Sequence, residues 1–354
     1  MTPKILRALP ALMPAAALAA LVLLSSAALA QDKKVRMQMA GAYPSAMPSL
    51  GQGQLYTADR IRKLSAGSVE VRFFEAGALI PGSQYLDAIG AGTLDSAWTS
   101  LGFFSGKEIA LTLYNTVPFG PDLGEYLAWM RFGGGEQLMK ELLAKYNAEV
   151  LLCGVIAPEA SGWFRKEIKS LDDLKGLKMR FFGLGANVMQ KMGVQTQNLQ
   201  PGEIFQALQL GTIDATEFSM PAMDLTLGFH QVAKHYYFPG WHQQATLTHL
   251  LISKQKWAEL SETQKEIVKA ACDQTILHLY AEGEGIQAKA LKDVQAKGVT
   301  LHFWPKDIMD AYRKAWTEVV EEQSAKSPDF KKGWDSLSRF REEYKIWRQH
   351  GYLQ

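Results

Sequence analysis

The sequence lacks most of the features by which enzymes and membrane proteins are recognised. No G-x-S-x-G nucleophile turn occurs, and no Ser-His-Asp or Cys-His order stands out. After residue 30, no segment approaches the ~18 uninterrupted apolar residues that a membrane-spanning helix needs. Catalysis and membrane insertion are therefore the weaker hypotheses for the main part of the chain.

Cysteine is scarce as well. Cys153 and Cys272 are the only two, which is too few for a disulfide scaffold. Cys153 also lies within the apolar run of residues 150–156. A bridge is possible in an exported protein, but the sequence favours two buried thiols.

Residues 1–30 have the layout of a secretory signal peptide. Lys4 and Arg7 form a positive start, residues 15–24 are apolar, and an A-x-A cleavage site ends at Ala30. Because prolines interrupt the apolar run, we expect cleavage after Ala30 rather than retention as an anchor.

An excess of one charge is also lacking. Without Lys4 and Arg7 the formal net charge falls from +2 to zero, which gives no electrostatic reason to expect nucleic acid or a membrane surface as partner. Removing thirty residues from 354 leaves 324, more than one hydrophobic core usually serves, so two domains are expected.

Strand-like and helical patterns alternate through the chain. The apolar, β-branched runs are VEVRFF (69–74), EVLLCGVI (149–156), LKMRFF (177–182) and LTHLLIS (247–253), and amphipathic stretches separate them. This alternation predicts an α/β fold.

One helix–turn–strand pattern occurs twice, as PGSQYLDAIGAGTLDSAW and as PGEIFQALQLGTIDATE. Gly92 and Gly211 fit the left-handed residue just past a helix end. A one-residue slip aligns the two units and places Trp98 opposite Glu217. Either two ordinary units share common turn residues, or, as we favour, they are equivalent parts of two similar lobes that direct strand ends at a shared cleft.

The turn that begins Gly183-Leu184-Gly185 partly matches a dinucleotide-binding fingerprint. The third glycine position is Val188, and Glu203 opens a helix instead of ending a strand, so we disfavour nucleotide binding. Arg180, which lies shortly before Gly183 in the sequence, is a better candidate for an anion contact. Residue type alone leaves carboxylate binding and a surface salt bridge equally open.

His230, His235, His242 and His249 raise the question of zinc. Their spacings of 5, 7 and 7 match no common zinc motif, so we expect structural histidines, although His242 could line a cleft. Residues 327–354 carry an apolar stripe at helical spacing, formed by Phe330, Trp334, Leu337, Phe340, Tyr344 and Trp347. We expect this helix to pack on its own chain.

Four segments of the sequence, taken in their order along the chain, form a recognisable pattern. They are AGALIPGSQYLDAIGAGTLDSAW, GWFRKEIKSLDDLKGLKMRFFGLGANVMQKMG, PGEIFQALQLGTIDATEF and GFHQVAKHYYFPGWHQ. Together they resemble the DctP-type solute-binding proteins of tripartite ATP-independent periplasmic (TRAP) transporters. The resemblance is greatest to the branch that binds 2-oxo acids, often labelled mannitol/chloroaromatic.

The resemblance implies a periplasmic protein of two α/β lobes, joined by hinge strands and closing on a small organic acid. Lobe I would comprise residues 31–155 and 245–290, and lobe II residues 156–244 and 291–326. Residues 327–354 would form a helix that can exchange between partners in a homodimer. The transport partners would be the small and large TRAP membrane subunits. An ABC-type carboxylate-binding protein is the nearest alternative, followed by an exported hydrolase.

The resemblance also implies the binding residues. Arg180 matches the arginine that salt-bridges the substrate carboxylate. Glu217-Phe218 matches a Glu-Trp pair whose carboxylate and backbone carbonyl hold a cation, and Gln243 matches a glutamine that also reaches the cation. Phe218 here replaces the tryptophan, a change that alters the aromatic contact to the substrate but keeps the carbonyl.

The first lobe would supply an aromatic wall of Tyr43 and Phe103, with Trp98 near the cleft. Glu159 stands where the family has a glutamine that touches both ligand and cation. With glutamine, the charges of the site and substrate add up to −1, which suits Na⁺. Ionised Glu159 makes the sum −2, which favours Ca²⁺. We therefore expect a bridging Ca²⁺ or Na⁺, with Ca²⁺ slightly preferred.

Overall fold

The structure, a computed structural model, describes residues 33–156 and 158–353. The predicted signal peptide and its cleavage after Ala30 lie outside these residues. Within the described part, no helix is both long and apolar enough to cross a bilayer.

Strands and helices alternate along the chain. The strands are β1 (Val35–Gly41), β2 (Val69–Phe74), β3 (Ser96–Thr99), β4 (Ala148–Ile156), β5 (Gly162–Phe164), β6 (Lys178–Arg180), β7 (Gln195–Gln197), β8 (Ala215–Thr216), β9 (His235–Phe238), β10 (Thr246–Ser253) and β11 (Thr300–Phe303). The helices are α1 (Leu50–Leu64), α2 (Tyr85–Gly90), α3 (Leu123–Phe132), α4 (Gly135–Ala144), α5 (Gly183–Lys191), α6 (Pro201–Leu210), α7 (Pro221–Leu227), α8 (Lys254–Glu259), α9 (Glu262–Ala296), α10 (Lys306–Lys326) and α11 (Pro328–Gly351).

The strands form two mixed sheets, which confirms the predicted α/β fold. The first has the order β2-β1-β3-β10-β4, in which β10 is antiparallel to both of its neighbours. The second has the order β11-β9-β5-β8-β6-β7, in which β6 is parallel to β7 and β8. Each sheet takes its strands from one predicted lobe, except that β4 extends to Ile156. The lobe boundaries themselves stay a prediction.

Three of the predicted strands are confirmed within one residue, as β2, β4 and β10. The fourth, predicted over residues 177–182, is shorter because helix α5 already begins at Gly183 with Phe182 as its N-cap. This early helix start matters for the site, since it leaves Arg180 at the very end of β6.

The repeated unit follows the same path in both places. Gly92 and Gly211 have φ angles of 72° and 73°, the left-handed conformation that was predicted for them. The first unit ends in β3, which contains Trp98, and the second ends in β8, directly before Glu217. The two units thus bring different side chains to the ends of strands in different sheets.

The two cysteines form a disulfide, so the prediction of free buried thiols was wrong. Helix α9 packs along β4, and this contact brings the Cα atoms of Cys153 and Cys272 to 4.2 Å although 119 residues separate them. The sequence could not show this proximity, because it arises from packing between a strand and a distant helix.

The C-terminal helix packs on its own chain, as expected. Ser327 caps α11 by accepting a hydrogen bond from the Phe330 amide (3.1 Å), and Phe330 and Leu337 are fully buried. Arg341 pairs with Glu125 on α3 at 3.1 Å. The far end of the apolar stripe remains exposed.

Candidate ligand and cation site

Two neighbouring parallel strands place the main charged pair. Strands β6 and β8 are parallel, with Arg180 in register with Thr216. The carboxyl ends of parallel strands meet at the same edge of a sheet. Arg180, the last residue of β6, therefore lies against Glu217, which follows β8.

The Arg180 guanidinium is buried and largely held by the protein. Its Nη1 donates to Glu217 Oε1 at 2.6 Å and to the Glu217 backbone carbonyl at 2.8 Å, while Nε donates to the Leu199 carbonyl at 3.3 Å. Its Nη2 makes no hydrogen bond to the described residues. Arg180 also lines a cavity, and the two N–H groups of Nη2 remain available to a ligand there. This burial and pairing exclude the surface salt bridge that the sequence left open.

The two carboxylates of the site are each satisfied on one oxygen only. Glu217 Oε1 also accepts from the Phe182 amide at 2.5 Å, and Glu159 Oε1 accepts from Thr246 Oγ1 at 2.9 Å. Oε2 of each is buried without a hydrogen-bond partner among the described residues, and so is Gln243 Oε1. Three oxygens that can only accept are therefore left unpaired in one region.

A fourth residue joins this region. Ligand atoms of Glu159, Glu217 and His242 all lie within 4.8 Å of one another, and all three side chains are buried. His242 Nε2 is 3.6 Å from Glu217 Oε2. From the sequence, His242 is predicted only as a residue that could line a cleft.

Burial dominates the electrostatics of Glu159. Its removal from water, and then the nearby charge of Glu217, raise the pKa of Glu159 well above its usual value. Asp224 is buried nearby, and desolvation raises its pKa to about 7, although hydrogen bonds from Trp163 and Tyr236 oppose the shift. The region thus contains more carboxyl groups than its single arginine can neutralise, and burial favours the protonated form of Glu159 when no cation is bound.

Aromatic rings cover the other side of the cavity. The Phe103 and Phe182 rings meet edge to face at 5.0 Å, and Tyr43 lies 6.1 Å from Phe103. Tyr43 also shares a 2.7 Å hydrogen bond with Ser100 through its hydroxyl. The Phe218 ring lies 5.5 Å from the Arg180 guanidinium carbon. These rings shield the charged groups from water.

The cavity gathers nearly all of the predicted binding residues. It is lined by Tyr43, Leu50, Ser100, Phe103, Glu159, Arg180, Phe182, Phe218, Gln243 and Thr246. Glu217 is not a lining residue itself but is bonded to Arg180, which is one. Trp98 does not line the cavity. It is fully buried in β3 and packs edge to face with the Tyr43 ring, with the ring centroids 6.0 Å apart.

Sequence reasoning missed four lining residues, Leu50, Ser100, Phe182 and Thr246. Thr246 Oγ1 connects Gln243, whose Nε2 donates to it at 2.7 Å, with Glu159. Its place at the start of β10, three residues after Gln243, is the only sequence signal that could have suggested it. Phe182 is the helix N-cap beside Arg180, a position visible only once the short β6 is known.

The four candidate zinc histidines are not brought together. His235 instead pairs with His302, with ring nitrogens 2.9 Å apart, and His249 is buried in β10. Of the described residues, only His242 among these histidines enters a group of possible metal ligands.

Comparison with known proteins agrees with the resemblance noted in the sequence. Residues 40–327 match the family described as bacterial extracellular solute-binding protein, family 7 (DctP). The chain belongs to this family. Its members are solute-binding receptors of TRAP transporters and act in the periplasm, and the predicted fold class and family are thereby confirmed.

Three relatives of this DctP protein are informative. A monocarboxylate 2-oxoacid-binding periplasmic protein of Nostoc sp. (strain PCC 7120) is 35% identical over 317 residues, covering 89% of this chain and 86% of the relative. A TRAP solute-binding protein of Bordetella bronchiseptica RB50 has a TM-score of 0.88 and 34% identity, covering 90% and 96% of the two chains. That structure is a mixed-occupancy dimer with copurified calcium and picolinate in one site and the other site apo.

The third relative carries a different cation. A TRAP periplasmic solute-binding protein of Pseudoalteromonas atlantica T6c has a TM-score of 0.85 and 29% identity, covering 89% of this chain and 96% of the other. It was solved with bound sodium and pyruvate. Relatives of the DctP protein thus bind a small carboxylate together with calcium in one case and sodium in the other, the two cations expected from the sequence.

Proposed function

We propose that this DctP protein captures a small 2-oxo or 2-hydroxy monocarboxylate, such as pyruvate or lactate, for uptake by a TRAP transporter. The observation that carries the proposal is a buried arginine, Arg180, whose Nη2 makes no hydrogen bond to the described residues and which lines a cavity together with Glu159, whose Oε2 is buried and unpaired among the same residues. A guanidinium binds carboxylates strongly and directionally. The Phe103 and Phe218 rings would enclose the short carbon chain of the ligand.

A cation is the natural complement of the remaining groups. Oε2 of Glu159, Oε2 of Glu217 and Oε1 of Gln243 are buried acceptors without donors among the described residues, an arrangement that is costly unless a cation or proton is present. The Phe218 backbone carbonyl would add a further oxygen. We propose that these groups hold a cation that also contacts the 2-oxo or 2-hydroxy oxygen of the ligand.

The charge of Glu159 favours Ca²⁺ over Na⁺. Arg180 balances one of the two carboxylates, and the ligand adds another negative charge, which leaves −2 when Glu159 is ionised. Ca²⁺ neutralises this charge and prefers several carboxylate and carbonyl oxygens. The relatives' structures with calcium and with sodium are consistent with a site in which small changes in charge select the cation.

The test is thermal unfolding of refolded, ligand-free protein. Pyruvate and lactate are added with Ca²⁺, with Na⁺ or with chelator, and methyl pyruvate serves as a matched control without the charged carboxylate. A ligand at about a hundred times its dissociation constant adds about 2.7 kcal/mol of stability. We expect stabilisation by pyruvate plus Ca²⁺ and none by methyl pyruvate. Absence of stabilisation by either acid under every cation condition would overturn the proposal.

Several finer points belong to the same proposal. The protein would act without catalysis, delivering its ligand to the small and large TRAP membrane subunits after signal-peptide cleavage behind Ala30. An ABC-type binding protein or an exported hydrolase would instead require an ATPase partner or turnover in the absence of a transporter. The protein could also form a homodimer through α11. Light scattering at micromolar concentration tests this hypothesis, and a mass equal to that of the monomer would exclude it.

A further inference from the structure

We propose that Glu159, Glu217 and His242 form a three-ligand site that binds a first-row divalent cation such as Mn²⁺ before the carboxylate arrives, with the His242 imidazole as a direct ligand. The inference rests on the proposed function only in placing this cation beside the ligand's cavity. It adds a nitrogen ligand, a binding order and a cation preference to that function.

The three side chains lie close enough together to approach one shared ion, and one pair already has the separation that two ligands of a single metal show. One ligand atom from each residue lies within 4.8 Å of the other two. Two ligands at about 2.0–2.2 Å from one metal are separated by roughly 3.0–3.6 Å at tetrahedral or octahedral angles. The 3.6 Å between His242 Nε2 and Glu217 Oε2 meets this condition and exceeds the length of a good hydrogen bond.

The imidazole is held in place by packing and makes no hydrogen bond of its own. Neither ring nitrogen of His242 has a hydrogen-bond partner in the described part of the chain, although the residue is almost fully buried. Its ring meets Phe181 edge to face at 4.9 Å, and its backbone carbonyl accepts a 3.3 Å hydrogen bond from Thr116. The ring is therefore fixed in position with both of its nitrogens unpaired.

The two carboxylates beside the imidazole also lack partners that a cation would provide. Oε2 of Glu159 and Oε2 of Glu217 are both buried and unpaired next to this imidazole. Two carboxylates and a nitrogen suit first-row divalent cations, because imidazole is a good ligand for them and a poor one for Na⁺. Since all three ligands come from the protein, the cation does not need the carboxylate in order to bind.

Mn²⁺ is the probe, because its electron spin reports coordinated nitrogen directly. Mn²⁺ is titrated into refolded, chelator-treated protein without any organic acid, and electron spin-echo modulation from ¹⁴N is recorded. We expect one bound Mn²⁺ with imidazole ¹⁴N modulation and an affinity above that for Ca²⁺. His242→Gln should weaken Mn²⁺ binding at least about tenfold and abolish the modulation. His230→Gln, which alters a histidine outside the cluster, should change neither.

The outcomes separate this inference from the proposed function. Mn²⁺ that binds without ¹⁴N modulation, or only after pyruvate is added, overturns the inference while pyruvate binding with Ca²⁺ still supports the function. Mn²⁺ with ¹⁴N modulation in a protein that binds no carboxylate supports the inference and overturns the function. The measurement on the unaltered protein decides the question even if His242→Gln does not fold.

Discussion

The two sides of the binding site differ in how fully the protein satisfies its own polar groups. On one side, Arg180 and Glu217 Oε1 are joined at 2.6 Å, and Phe182 and Leu199 supply further backbone hydrogen bonds. On the other side, Glu159 has no cationic partner among the described residues, and its Oε2 and Gln243 Oε1 are buried without a hydrogen bond there. Glu217 Oε2 is unpaired as well, but the charge of Glu217 is balanced by Arg180. Both sides are equally removed from water, so burial alone does not distinguish them.

If the proposed function is correct, the difference separates groups that maintain the fold from groups that receive a ligand. A buried ion pair with additional hydrogen bonds is satisfied within the protein, and removing one partner leaves an uncompensated charge. An unpaired buried acceptor is costly in the ligand-free state and becomes favourable only when a cation arrives. Substitutions on the two sides should therefore affect stability in opposite directions.

The largest effect is expected from Arg180→Ala. This change leaves Glu217 as an unpaired buried charge, so the free energy of unfolding should fall by about 3–5 kcal/mol. Pyruvate affinity should fall at least about a hundredfold, because the charged hydrogen bond from Nη2 to the carboxylate is lost. Denaturant unfolding and calorimetric titration measure the two effects. Arg180→Lys, the matched control, should recover stability more than affinity. Affinity within threefold of the original protein would contradict Arg180 as the carboxylate contact.

Glu159→Gln should act in the opposite direction. It removes a desolvated carboxylate, so the ligand-free protein should gain about 1–3 kcal/mol at pH 8. The site charge with ligand falls from −2 to −1, so the cation preference should move from Ca²⁺ towards Na⁺. Glu217→Gln is the matched control on the paired side and should destabilise. If both variants shift stability in the same direction, the distinction between the two sides is wrong.

The free energy of unfolding of the ligand-free protein should depend on pH, because Glu159 is buried without a cationic partner among the described residues. Because the pKa of Glu159 is raised in the folded state, folding binds a proton that the unfolded chain releases above about pH 4.3. The contribution of Glu159 to the free energy of unfolding is therefore fully present below that pH. It is lost as the pH rises towards the pKa of Glu159 in the folded protein. Asp224, whose pKa is raised to about 7, contributes in the same direction up to about that pH.

Urea unfolding at a series of pH values tests this dependence. In Glu159→Gln, the free energy of unfolding should fall with pH only up to about pH 7, because the remaining dependence belongs to Asp224. Saturating Ca²⁺ should weaken the slope in the original protein, because the cation competes with the proton. An identical slope in the original protein and in Glu159→Gln would show that Glu159 does not titrate as expected.

The smallest effect is expected from Phe218→Trp. The backbone carbonyl, which is the proposed cation ligand at this position, is unchanged, so Ca²⁺ affinity should stay within about threefold. Only the packing over the Arg180 guanidinium, 5.5 Å from the present ring, would alter. Calorimetric titration with Ca²⁺ and pyruvate measures both quantities. A large loss of cation affinity would indicate that the side chain, and not the carbonyl, governs the site.

Much of the fold and of the ligand's anchor could be predicted from the sequence. The alternation of strand and helix patterns indicated an α/β protein, and the two left-handed glycines, Gly92 and Gly211, were identified by their position after a helix. The order of segments around Arg180 and Glu217 indicated the family. These features are local in the chain, and local chemistry is enough to specify them.

The cation cluster and the disulfide were decided only by the tertiary structure. Glu159, Glu217 and His242 come from three separate segments, and Cys153 meets Cys272 across 119 residues. Spacing along the chain carries no information about such contacts, because the packing of sheets and helices sets them. The sequence by itself determined which elements form and which side chains stand at their ends. The tertiary structure decided which of those ends meet, since only packing brings distant charges within a few ångströms and removes them from water.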